Sequence, residues 1–373
     1  MQRITYVTAA VCLLGIGISC SKSGSGGNGG GGNTGGSNDS VLVNIGANII
    51  LPAYQGLAGA VNALDSAIGD FNAAPTAGKL VSVQSLFKSA YLDWEAASEF
   101  DYFGPASTAQ PVLATLNVFP TDTTLINNNI GTNVYNLNSF ANTVAKGFPA
   151  LDYLLFGAGT NTLAYLSGDA LAINRQKYLA AVSADIKTEV NAVVSGWGSY
   201  LNTFETGTGN SVSSSLGLLL NSMDQDFEIL KNDRLGIPLG LIPVGVISPV
   251  LPKEVEAYYS GISAQLALAQ LKAVQGLYLG TGGHGNGQGL INYLVNAKAK
   301  YNGGPMSDTI KVAFASTVTA LQAVPDPLSQ TIQTSTTGAQ AAFTQCQRLV
   351  ALLKTDMPSA LGVLITYGDN DGD

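Results

Sequence analysis

One histidine, two tryptophans and three cysteines are all that 373 residues hold of those types. A single imidazole, His284, excludes any centre that needs two. No G-x-S-x-G occurs, and nothing in the sequence brings a serine to His284, so a serine–histidine triad has no support. Charge is scarce too, at 11% of residues, against an average of about 25% in globular chains. The shortage falls mainly on bases, with 17 Lys and Arg against 25 Asp and Glu and a net charge of −8. With no basic block, nucleic acid is excluded as a partner, because phosphate contacts need clustered Lys and Arg. Low charge together with 46% apolar residues also excludes wholesale disorder.

What is present begins with an address. Residues 1–19 carry Arg3, an apolar run from Ile4 to Ile18, and Ser19 just before Cys20. A positive start, a short apolar core and small residues at the cut read as a signal peptide, too short for a comfortable membrane span. The end, GISC, resembles a bacterial lipobox with Gly17 at the usual leucine position, which makes Cys20 the lipidated first residue. Residues 20–40 then read as that cysteine plus a tether. Nine of residues 21–40 are glycine, which gives a random-coil reach of about 25 Å. Such an anchor places the body in the cell envelope, on the periplasmic face of an outer membrane, held by acyl chains at Cys20. Cys12 leaves with the signal, so no intrachain disulfide is available, and Cys346 in AAFTQCQRLVALL reads as a small buried hydrophobe.

From there on, apolar residues recur with a helical period. The pattern predicts helices over 42–71, 79–102, 137–156, 172–204, 211–232, 255–278, 287–302, 307–323 and 329–354, with a kink or early break at Pro52. Residues 106–135 read as loop. Residues 235–252 hold no charge but carry Pro238, Pro243, Pro249 and Pro252, so an apolar strap across the helices is expected rather than a membrane span. The fold class is all-α: two packed four-helix-bundle-like domains, 41–206 and 207–373. Each offers about four helices.

Few residues suggest chemistry by themselves. The loop GTGGHGNGQG lacks the strand before it and the Lys after it that a phosphate cradle needs, and reads as a helix connection. The final GDNDGD resembles the start of a calcium loop without its later acid and reads as a solvated tail. Candidate paired carboxylates for acid–base work are Glu99 with Asp101, Asp152, and Glu254 with Glu256.

Several segments, in order, carry a family resemblance. They are NIILPAYQGL (48–57), the run from Trp94 through Glu99 to Gly104 and Pro105, NVFPTD (117–122), GFPALDYLLFG (147–157), DRLGIPLG (233–240) and VEAYYSGIS (255–263). From about residue 40 to the end the chain resembles an imelysin-like protein. The resemblance implies two four-helix-bundle-like domains with a functional site between them. It also implies relatives that are lipoproteins or periplasmic proteins linked to iron uptake, and a family named for a metallopeptidase. The family signature is G-x-H-x-x-E, whose His and Glu share one helix face and reach one metal. Here Gly147 is kept, Pro149 stands at the histidine position and Asp152 at the glutamate position. Proline is tolerated in a first helical turn, so the fold survives while the ligand is lost. Zinc hydrolysis, which needs about three protein ligands, is not expected. The geometry that the resemblance implies gathers Asp152 and Tyr153 with Glu256, Tyr259 and Ser260, and adds Glu99 as a further ligand-binding candidate. Two readings of this group stand: a cleft for a cation, a sugar or a peptide end, or groups that satisfy one another in a buried junction. The expected function is a non-enzymatic binding lipoprotein, with no cofactor unless a hard cation such as calcium or iron, and with a small ligand or an envelope protein as partner. The alternative is a hydrolase working through Asp152 and Glu256 without histidine.

Overall fold

The computed structural model describes residues 35–108, 112–157, 162–242 and 249–367. The signal, Cys20, the tether up to residue 34 and the GDNDGD tail lie outside the described residues. Helix starts at Gly35, inside the stretch expected as tether. Helix α1 (Gly35–Asn44), a wide π-helical stretch (Ile45–Ile50) and α2 (Leu51–Ala73) follow without a break. One stripe, including Ile45, Ile49, Leu57, Val61, Leu64, Ile68 and Phe71, goes into the core. Ser40–Ala73 is long and apolar enough to cross a membrane, yet 61% of its most apolar window is buried inside the fold.

Pro52 does not break this helix, and the π stretch explains why. The Leu51 N–H reaches five residues back to Gly46 O. Pro52 has no N–H with which to take Asn48 O, four residues before it. That carbonyl instead accepts the His284 N–H at 3.5 Å. The donor lies in a small hairpin, β1 (Thr281–Gly282) with β2 (Gly285–Asn286). A Cβ on Gly282 would run into the same Asn48 oxygen. The glycine-rich loop is therefore a fitted plug against the first helix.

Helix α3 (Ala77–Glu95) starts at Thr76, whose side chain accepts the Lys79 N–H. It ends seven residues before the expected limit and passes into a 3-10 turn, Ser98–Phe100. The region expected as loop, 106–135, holds Leu113–Leu116 and α4 (Thr123–Thr132). Asp122 caps α4 by accepting the Leu125 N–H at 2.9 Å, so the FPTDTT signal starts a helix. Few apolar residues on α4 are buried, which is why the period was invisible. The expected helix 137–156 divides into a 3-10 segment (Phe140–Ala145), α5 (Gly147–Asp152) and a π segment (Tyr153–Gly157). Helix α6 (Ala172–Thr206) packs along α2 and buries Tyr178, Ile186, Val190, Trp197 and Phe204.

The second half contains α7 (Ser215–Ile229), a π segment (Leu230–Gly236), α8 (Ser263–Leu279), α9 (Met306–Gln322) and α10 (Thr337–Val350). Helix α8 begins eight residues later than expected. Residues 252–261 turn instead, with Ala257 and Gly261 at positive φ. The expected helix 287–302 shortens to Leu290–Asn296. A hairpin of β3 (Lys300–Tyr301) and β4 (Gly304–Pro305) follows it. The expected helix 329–354 is interrupted, giving Leu328–Thr334, α10 and a π segment, Ala351–Asp356. The middle of the proline-rich strap, 243–248, lies outside the described residues, while Leu251 N–H closes onto Pro238 O at 2.8 Å. Among the described residues the fold is all-α apart from the two hairpins. Gly35–Asp373 forms one compact unit, and the boundary expected near residue 206 falls inside it at the end of α6. Helix α8 also packs against α3, so a single apolar core runs through both halves. Cys346 is buried in it, and burial pushes its thiol up to about 12.

Candidate functional site

Tyr91 and Glu95 lie one turn apart on α3 and face the same way. Across from them, the π segment after α7 presents Arg234, and α8 presents Gln270. The Arg234 Nη1 donates to Glu95 and, at 2.6 Å, to Gln270 Oε1. Its Nε forms an ion pair with Glu256 Oε2 at 3.0 Å. Glu256 Oε1 accepts Asn117 Nδ2 at 2.7 Å and lies 3.2 Å from the Tyr91 hydroxyl. That hydroxyl donates to Asn117 Oδ1 at 2.6 Å. Gln270 Nε2 in turn donates to Asp226 Oδ2 at 2.6 Å. All of these groups are buried. One guanidinium thus serves three carboxyls in a medium where unpaired charge is costly. Burial pushes Glu95 well above the usual carboxylate range, and Asp226 above it, with Arg234 pulling both back. Burial also opposes the charge of Arg234, but Glu256, Glu95 and Asp226 outweigh it and hold the guanidinium protonated.

A cleft of about 500 Å³ opens beside this network, lined among others by Thr121, Pro149, Asp152, Lys253, Tyr258 and Tyr259. Asp152 ends α5. Its Oδ2 accepts the Tyr259 N–H at 2.8 Å and its Oδ1 accepts the Ser260 N–H at 2.9 Å. Burial pushes its carboxyl up to about 6, while the Ser260 side chain, these two amides and Lys88 draw it down. Tyr259 packs between Tyr153, 5.2 Å away between ring centres, and Tyr258, 5.0 Å away and perpendicular to it. The Tyr153 hydroxyl accepts Asn127 Nδ2 at 2.8 Å.

The sequence candidates therefore divide. Asp152, Tyr153, Tyr259 and Ser260 do come together. Glu256 belongs instead to the Arg234 network, so Asp152 and Glu256 answer to separate partners. Glu99 lies elsewhere, beside a cleft of about 390 Å³ with Pro52, Asp93 and Lys272. Neither of its oxygens has a hydrogen-bond partner among the described residues. Burial, and then Asp226, push its carboxyl well up. The sequence reading missed Tyr91, Glu95, Asn117, Asp226, Arg234 and Gln270. The signal was there for two of them, in the four-residue spacing of Tyr91 and Glu95.

A metal of the kind the signature implies does not fit. Pro149 sits in the first turn of α5, buried, with no donor atom. Asp152 already spends both oxygens on backbone amides. Among the described residues no group of three or more His, Cys, Asp or Glu is placed to hold a metal ion. His284 is exposed in its hairpin, outside this cleft.

Comparison with known proteins agrees with the architecture. An iron-regulated protein A precursor assigned in Parabacteroides distasonis ATCC 8503 superposes with a TM-score of 0.71 at 18% identity, over 87% of this chain and 94% of that one. An imelysin-like protein from Psychrobacter arcticum 273-4 gives 0.66 at 20% identity, over 88% and 97%. No curated protein matches. The imelysin (peptidase M75) family model matches residues 50–355, and the chain belongs to the imelysin family.

Proposed function

We propose that this imelysin-family chain is a non-enzymatic binding lipoprotein, tethered through Cys20 on the periplasmic face of the outer membrane, that captures a ligand near an iron-uptake system. The observation that carries the reading is the signature helix itself. Pro149 replaces the histidine, and the Asp152 carboxyl is held by the Tyr259 and Ser260 amides, so the position that would grip a metal instead stiffens one wall of a cleft. The tyrosines, Thr121 and Lys253 around that cleft offer aromatic faces and polar ends to a small polar ligand. The structural neighbour described as iron-regulated supports the link to iron. Calorimetry of the intact protein against ferric iron, calcium and cell-wall sugars tests the proposal. Heat from one of them, lost in Tyr258→Ala, is expected, and no heat from any would sink it. Activity on a peptide or glycan library that disappears in Asp152→Ala would instead establish the hydrolase reading.

A further inference from the structure

The cleft of about 390 Å³ beside Glu99 lies where α2, α3 and α8 meet the β1–β2 hairpin, and it shares no lining residue with the Asp152 cleft. Small residues form much of its wall: Ala53 and Gly56 from α2, Ala96 after α3, Ala273 and Gly276 from α8. They leave room beside the one deeply buried polar side chain that lines it, Glu99, which is 1% exposed. The Glu99 backbone is fixed, because its carbonyl accepts the Ser222 hydroxyl at 2.7 Å. Its carboxyl is not: neither oxygen has a hydrogen-bond partner among the described residues. Water cannot stand in freely at 1% exposure. Every other buried carboxyl described above is answered, Asp152 by two amides and Glu95, Glu256 and Asp226 by Arg234 or Gln270.

A buried carboxyl with two open oxygens is costly until a donor meets both. Burial and the neighbouring Asp226 both oppose its charge, so the partner that gains most is one that brings a positive charge with it. An anion is repelled. A metal ion lacks ligands, since no group of three or more His, Cys, Asp or Glu is placed to hold one among the described residues. Asp93, half-buried in the same wall, adds a second acid, while Lys272 is exposed and keeps its charge in solvent. An ammonium is a point charge with tetrahedral donors. A guanidinium is flat and offers two parallel N–H bonds to the two oxygens of one carboxylate. We infer that this cleft is a binding site for a guanidinium group, held in bidentate fashion by Glu99 with its alkyl stem along the small residues of α2 and α8. The volume lies within the range of about 300–1,000 Å³ for ligand pockets. The group could come from a free guanidinium compound or from an arginine side chain of a peptide. The inference does not rest on the ligand proposed for the Asp152 cleft.

The test titrates the intact protein with n-propylguanidinium, beside n-propylammonium and the neutral butyramide, followed by ligand-observed NMR. Saturable binding of n-propylguanidinium is expected, with the ammonium and the amide each weaker by about tenfold or more. A Gly-Arg-Gly peptide separates the two sources. Affinity equal to that of n-propylguanidinium assigns the site to an arginine side chain, and affinity weaker by about tenfold assigns it to a free guanidinium compound. Glu99→Gln keeps the shape and removes the charge. The carboxyl has no partner to lose, so this variant should melt no lower than wild type while its guanidinium affinity falls by about tenfold or more. Gly56→Leu provides a second route, because a Cβ there meets nothing within 4 Å. It should fold, fill the cleft and abolish saturable binding. No saturable binding to wild type, ammonium or amide as tight as guanidinium, or unchanged affinity in either variant would each overturn the assignment.

Discussion

Arg234→Met removes the only cation that touches the carboxyls of Glu95 and Glu256 among the described residues. The side chain is 2% exposed, Glu95 0% and Glu256 1%, so water cannot replace it. Breaking a buried pair from one side costs about 3–5 kcal/mol, mostly through the uncompensated partner. For a unit this large about 2 °C is lost per kcal/mol, which predicts a melting temperature lower by roughly 6–10 °C at neutral pH. The orphaned carboxyls have an escape, because burial already pushes Glu95 and Asp226 toward the protonated form. The cost should therefore shrink at pH 5. It should also shrink in the triple variant Arg234→Met, Glu95→Gln, Glu256→Gln, where neither carboxyl that touched the guanidinium can hold a charge. Urea unfolding followed by circular dichroism at pH 7 and pH 5 measures all three proteins. If the single variant unfolds within about 1 kcal/mol of wild type at pH 7, the network is not what holds this junction. If the triple variant is no better than the single one, unpaired charge is not the cause of the loss.

Two further outcomes follow from the same physics. Burial raises Asp152 and Asp233 to about 6 from an ordinary 3.8, so the folded state holds protons that the unfolded chain releases. That contribution is complete below about pH 4 and is lost as pH rises through about 6, on the order of 3 kcal/mol for the enclosed Asp152 and less for the half-buried Asp233. Scanning calorimetry should show a higher melting temperature at pH 5 than at pH 8, with a flatter profile in Asp152→Asn; an unchanged profile in that variant would contradict the assignment. Gly147 adopts φ +76°, and a Cβ there would collide with the Leu116 carbonyl. Gly147→Ala should cost about 2–4 kcal/mol in urea unfolding, and a loss under 1 kcal/mol would mean that the α5 entry is less constrained than its geometry implies.

The helices with continuous apolar stripes were legible from periodicity alone: α6 and α9 match their expected ranges to within two residues, and α2 and the start of α3 appear where the spacing predicts them. Polar α4 was not legible, because its burial rests on Ile126, Asn129 and Ile130, too few to set a period. The late start of α8 was hidden for the opposite reason. Residues 255–262 look helical, but their backbone turns so that the Tyr259 and Ser260 amides reach Asp152, a tertiary demand that local pattern does not carry. The kink expected at Pro52 became a π stretch whose free carbonyl is taken up by a hairpin more than two hundred residues away. The family signature directed attention to Asp152, which lines the cleft and accepts the Tyr259 and Ser260 amides. It also attached Glu256 to Asp152, whereas the structure gives Glu256 to Arg234. An arginine in a polar-looking segment such as KNDRLG carries no mark that it will be buried.

With Pro149 in place of an imidazole and both Asp152 oxygens on backbone amides, the signature helix should hold no zinc. Intact protein, stripped with a chelator and titrated with zinc against a competing fluorescent chelator at pH 7, should take up no stoichiometric ion at this position, and Asp152→Ala should behave as wild type does. One tightly bound zinc per chain that is lost in Asp152→Ala would contradict the account.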